Sequence, residues 1–223
     1  MRYVSDEKLE ESGAPVFFVS YARSKPANSP VLPPHETNAH VQRLFRDLTQ
    51  HVNQLVPLSA GCDPGFMDMT MTGGALWERE LRTNAGSCQV LICLLSPPYL
   101  RSEWCAMEWD IFSAREVVRR SDGKPASETM IVPVLWVPIL EELPKMIDEV
   151  TLFSPRDLHD SNISPMYERE GLYGILNTDP GAYPALVWKL AKHIQVLQAK
   201  YEVLPKVPDS IDGLNRHFFK EPG

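Results

Sequence analysis

Trp104 and Glu108 stand four residues apart in the run SEWCAME over residues 102–108, a spacing that on a helix puts both side chains on one face. An indole face stacks on a flat heterocyclic ring. A carboxylate beside it can hydrogen-bond ribose hydroxyls and stabilise an oxocarbenium-like centre. The apolar run at 90–95 reads as a buried strand, and Ser96-Pro97-Pro98 stops it, so the pair falls near that strand's carboxyl end. Open parallel sheets bind ligands there. The same spacing also describes a packed aromatic beside a solvated charge, so the pair alone does not decide.

Other candidates gather at equivalent positions. The strand former run 16–21 ends in Ser20, Tyr21, Ala22 and Arg23, where small residues and free amides suit a nucleotide and Arg23 can pair with a pyrophosphate or lie on the surface. Asp68 lies near the end of a weak strand at 65–69, before small, permissive residues up to Gly74; an ordinary turn aspartate reads the same way. Trp77 either lines the cleft or anchors a helix at 76–85. The glycine fingerprints GxGxxG and GxxxxGK[ST] are absent, as are GxSxG and HExxH, and the first strand does not end in carboxylates as an aspartate receiver would. Cys62, Cys88, Cys93 and Cys105 are expected as free thiols, and with the six histidines scattered no metal cofactor is expected.

These residues need a scaffold, and strand and helix signals alternate as in a parallel sheet covered by helices. After the first strand, four prolines between 24 and 37 make a loop, and Val41, Leu44, Phe45, Leu48, Val52 and Leu55 mark an amphipathic helix. Ser102 caps a helix expected to run to about Arg120, and 130–137 is a strand whose prolines place it near an edge. A short helix over 140–150, an irregular stretch and a closing helix over 184–203 complete the pattern. With 223 residues and 43% hydrophobic content, the chain holds one domain over 15–203, an N-terminal extension at 1–14, and a proline-bearing linker or docking tail at 204–223. Twenty-two basic against twenty-nine acidic residues give a charge of -7, which argues against direct nucleic-acid or anionic-lipid binding. The acidic N-terminus has no secretory pattern and no apolar run approaches a membrane span, so a cytoplasmic location is expected.

Taken in order, VFFVSYA over 16–22, GFMD over 65–68 and CLLSPPYLRSEWCAME over 93–108 resemble the successive motifs of bacterial TIR domains. The wording, with VPVLW at 132–136 and the stretch 167–176, is similar to the TIR-like group called FxsC. The resemblance implies a flavodoxin-like α/β fold, a five-stranded parallel sheet with helices on both faces. It implies NAD+ as substrate rather than cofactor, hydrolysed or cyclised in bacterial defence or signalling, with Glu108 of the WxxxE motif as the catalytic carboxylate and Ser20, Tyr21, Ala22, Arg23, Asp68, Trp77 and Trp104 around the substrate. It also implies self-association through the 69–74 loop, and the linker-like tail at 204–223 leaves room for a sensor domain fused or associated at the C-terminal end. The chain departs from many TIR domains in carrying Ser24-Lys25-Pro26 where an acidic residue shortly follows the Ser-Tyr pair. The chemistry is consistent with one carboxylate: glycosidases need a second to protonate the leaving oxygen, whereas nicotinamide leaves NAD+ neutral. Two other readings stand beside it, a non-catalytic TIR interaction module and a nucleoside deoxyribosyltransferase-like enzyme.

Overall fold

The computed structural model describes residues 14–23, 38–58, 63–68, 75–155 and 162–219, leaving aside the side chains of 75–77. Most of the N-terminal extension, the loops 24–37 and 69–74, and Cys62 lie outside the described residues.

Four strands form a parallel sheet: β1 (Phe17–Tyr21), β2 (Gly65–Met67), β3 (Val90–Leu95) and β5 (Ile131–Leu135), in the order β2-β1-β3-β5. Helices α1 (Ala39–Leu55) and α2 (Ala75–Ser87) follow β1 and β2, and α3 (Glu103–Ser113) follows β3 after a 3₁₀ turn at Tyr99–Arg101. Every position of β3 is buried, which requires cover on both faces and explains its unbroken VLICLL sequence. The spacing of Val41, Leu44, Leu48 and Val52 puts one apolar stripe of α1 into the core. Helix α1 packs on the last helix, α6 (Ala182–Lys200), and α2 packs on α3. The fold is therefore the expected α/β, flavodoxin-like class, with four strands where five were expected. Where a fifth would stand, the segment around Phe153 lies against β5 and its N–H donates to the Pro133 carbonyl at 2.9 Å, without a ladder among the described residues. Pro133 thus sits on the edge strand, as its missing N–H demands.

Four further expectations are corrected. Helix α3 stops at Ser113 instead of running to Arg120, because Arg115 turns inward. Its guanidinium donates to the carbonyls of Ala85, Cys88, Val203 and Leu204, and the chain then leaves as β4 (Val117–Arg119). The closing helix ends at Lys200, and β6 (Tyr201–Val203) pairs antiparallel with β4 in a second, two-stranded sheet. The short helix expected over 140–150 is the four-residue α4 (Lys145–Asp148), and the stretch expected to be irregular contains α5 (Ile163–Thr178). Helix α5 kinks at Gly171, whose φ of 67° favours glycine and whose missing side chain lets the Trp136 backbone approach; a Cβ there would lie 2.6 Å from the Trp136 carbonyl oxygen. Among the described residues no helix is long and apolar enough to cross a membrane.

Candidate functional site

Strand β1 is apolar at Phe17, Phe18 and Val19, and its next residue, Ser20, is equally buried. A buried hydroxyl requires a partner. Ser20 pairs in register with Cys93 of β3, at the carboxyl end of the two central strands. Its Oγ–H donates to the Glu108 carboxylate in a short hydrogen bond, and its oxygen lies 3.2 Å from the Tyr99 hydroxyl. Both partners come from the connection that follows β3: Tyr99 from the 3₁₀ turn, Glu108 from α3. The Ser102 hydroxyl starts α3 by accepting from the Cys105 N–H at 3.3 Å, which fixes where the helix begins and hence which side chains point at β1.

The order β2-β1-β3-β5 reverses direction at β1 and β3, so these residues stand at the topological switch point of the sheet. Glu108 itself is 6% exposed, and so is not the solvated charge that its spacing from Trp104 also allows. Burial pushes its carboxyl up to about 7, against the Ser20 hydrogen bond and the Arg23 charge, which both favour the ionised form. At neutral pH the group is divided between acid and carboxylate.

Beside it, the Arg23 guanidinium forms an ion pair with the Asp68 carboxylate, and the Tyr21 hydroxyl donates to the Asp68 backbone carbonyl at 3.0 Å. These contacts bind the carboxyl end of β1 to the end of β2. Burial raises the Tyr21 phenol, with Arg23 opposing. Ala22 is half-buried against the core. Trp104 is 41% exposed at the start of α3, so the indole faces outward while Glu108, one turn on, is enclosed. Trp77 lies in the first turns of α2, and its side chain is outside the described ones.

The structure thus brings together two groups, Ser20 hydrogen-bonded to Glu108 and Tyr21 and Arg23 joined to Asp68, within electrostatic reach of one another, and leaves Trp104 exposed at the start of α3. Tyr99 was missed by sequence reasoning, although an aromatic alcohol locked behind two prolines at a strand's carboxyl end is a usable signal. Cys88, Cys93 and Cys105 are buried free thiols, and burial raises all three, Cys88 to about 12. They are protonated and unreactive in the folded chain. Among the described residues no group of three or more His, Cys, Asp or Glu side chains could hold a metal ion.

No curated protein and no solved structure matches the chain. A family model described as TIR domain does match, over residues 17–166, from the first residue of β1 into the first turn of α5. That span is well over half of the sequence and contains every site residue named above, and on it the chain belongs to the TIR-domain family.

Proposed function

We propose that this TIR domain cleaves the nicotinamide-ribose bond of NAD+ with Glu108 as the catalytic carboxylate. The observation that carries the reading is Glu108 itself: a carboxylate enclosed at the switch point of the sheet, with its ionised form supported by one hydroxyl and one nearby cation. Such a group destabilises the fold, and a residue retained at that expense is a candidate for chemistry.

The C1′–N bond breaks with its electron pair going to nicotinamide, which departs neutral, and positive charge develops on the ribose. The Glu108 carboxylate opposes that charge in surroundings of low dielectric, where its effect is largest. Water then adds to C1′ and releases a proton, giving ADP-ribose; attack by an adenine nitrogen of the same molecule would give a cyclic product. Trp104 offers its exposed ring to the nicotinamide or adenine, and Arg23, freed from Asp68, supplies charge for the pyrophosphate. Ala22 and Tyr21 form the strand-end backbone that the nucleotide would approach, and Trp77 is assigned to the cleft wall. We place the chain near the FxsC-like group on its 132–136 and 167–176 wording, and assign it to bacterial defence or signalling in the cytoplasm.

The same enclosure of Glu108 favours a second reading, an interaction module in which the residue is only a buried polar group. Release of free nicotinamide from NAD+ by concentrated protein, lost in Glu108→Ala, separates the two. Self-association through the 69–74 loop predicts a specific activity that rises with concentration; a flat dilution series from a strictly monomeric, fully active sample refutes that part.

A further inference from the structure

The C-terminal segment after β6 does not leave the domain. The Lys206 N–H donates to the Gly86 carbonyl at 2.9 Å, the Asn215 N–H donates to the Asp110 carboxylate at 3.0 Å, and the Arg216 guanidinium lies 3.5 Å from the Glu103 carboxylate. The last two contacts are on α3, the helix that carries Glu108. Phe218 is 5% exposed, stacks on the Tyr99 ring at 5.4 Å between centroids and 27° between planes, and meets the Trp109 ring of α3 edge-on at 5.9 Å. Tyr99 is fully buried and its hydroxyl reaches Ser20. When Glu108 is ionised, the single hydroxyl proton of Ser20 is committed to the carboxylate, so Tyr99 must be the donor to Ser20. An unbroken path therefore runs from Phe218 through Tyr99 and Ser20 to Glu108.

We propose that residues 204–219 form a positioning element of the Glu108 site, in which Phe218 fixes the Tyr99 ring so that its hydroxyl holds Ser20 against the carboxylate. The inference rests on the NAD+-cleavage reading for its kinetic consequence, and on the contacts alone for its structural one. Phe218 touches no reacting atom; it acts through Tyr99. Losing the stack lets the Tyr99 hydroxyl drift, and misplacement of this size lowers turnover without weakening substrate contact.

The test is a set of variants of the whole chain, Phe218→Ala, Phe218→Tyr, Tyr99→Phe and the double Phe218→Ala/Tyr99→Phe, read by NAD+-cleavage kinetics and by carbon-13 NMR titration of the Glu108 carboxyl. Ser20 is hydrogen-bonded to this carboxyl, and the titratable and charged groups within its electrostatic reach are Tyr21 and Arg23 from the end of β1, Cys88 after α2, Cys93 of β3 and Cys105 of α3; all are kept in every variant. Phe218→Ala is expected to lower kcat about tenfold with KM within about twofold, Phe218→Tyr to restore it, and the double variant to lose no more than the worse single one. Both Phe218→Ala and Tyr99→Phe are expected to move the Glu108 titration upward, since each weakens the donor chain to the ionised form. Wild-type kcat and titration in Phe218→Ala overturn the proposal, as do losses that multiply independently in the double variant. A downward titration in Phe218→Ala does so too, because it would make the ring a water shield and not a positioner. If Phe218→Ala does not fold, Phe218→Met, which keeps apolar volume without a flat ring, takes its place. If the wild type releases no nicotinamide, the cleavage reading fails, and the titrations still decide whether the path exists.

Discussion

Replacing Glu108 by Gln is expected to stabilise the domain at neutral and alkaline pH while removing its activity. Glutamine keeps the shape of the side chain and an oxygen that accepts from Ser20, but it carries no charge into the enclosure. In the unfolded chain the carboxyl titrates near 4.5, and in the folded chain at about 7. Below 4.5 it is protonated in both states and contributes nothing to the pH dependence. As pH rises from 4.5 to 7 the unfolded chain releases the proton and the folded chain keeps it, so stability falls; above 7 both are ionised and the deficit is constant. The gap between the two values corresponds to about 3 kcal/mol.

The Gln variant has no such loss. Its advantage over wild type should therefore grow by about 3 kcal/mol between about pH 4.5 and pH 8, appearing as a rise of about 1 M in the urea midpoint relative to wild type. Over the same range NAD+ cleavage by Glu108→Gln should be lower by about 10² or more, the usual scale for removing one electrostatic contact to a transition state. Parallel pH–stability profiles for the two proteins would show that burial does not strain this carboxylate, and the argument from cost to function would fall with them. A stabilised, inactive variant is the signature of a site residue held against the interest of the fold.

The free-enzyme acid limb of kcat/KM for NAD+ should lie near pH 7, with activity rising as the carboxylate forms, and the limb of kcat should lie lower because the cationic nicotinamide ring favours the ionised form; a flat profile across pH 5–8 refutes this. Ser20→Ala removes a donor to the carboxylate, so it should move the kcat/KM limb upward and, by stranding the Tyr99 hydroxyl, destabilise the fold by about 1–3 kcal/mol in urea titrations. Gly171→Ala should destabilise the domain by about 2 kcal/mol or more, because the new Cβ meets the Trp136 carbonyl at 2.6 Å in a conformation that disfavours side chains; circular-dichroism melts measure it.

The readable parts of the fold are those set by local pattern. The apolar run of β3, the stripe of α1 and the Ser102 cap each show in a window of a few residues, and the structure has all three where the pattern puts them. What escaped depends on partners distant in the chain. Val117 and Val118 continue a helical signal until β6, more than eighty residues later, offers a strand to pair with, and Arg115 breaks the helix only because four distant carbonyls await it. Helix α5 carries Pro165, Gly171 and Gly174, residue types that weaken a helical pattern. Pro165 lies in the first turn, where no intrahelical donor is needed, and Gly171 serves a kink.

The site divides in the same way. Ser20, Arg23, Asp68 and Glu108 are legible as strand-end and helix-start residues, because topology alone sends those positions to one edge of the sheet. The depth of Glu108 is not legible. Reading it as a solvated charge beside a packed aromatic assumes that α3 keeps a solvated face, yet Cys105, Ala106, Met107, Glu108, Trp109, Ile111 and Phe112 are all buried. Helix α3 lies against β1 and α2, and its outer side is taken by Asn215, Arg216 and Phe218, contacts formed by residues about a hundred positions away. A segment that reads as a proline-bearing tail thus covers the outer side of α3, while Glu108 is enclosed where the helix meets Ser20 of β1. The raised carboxyl, and the pH dependence that follows from it, come from that burial against β1, which the WxxxE spacing alone does not carry.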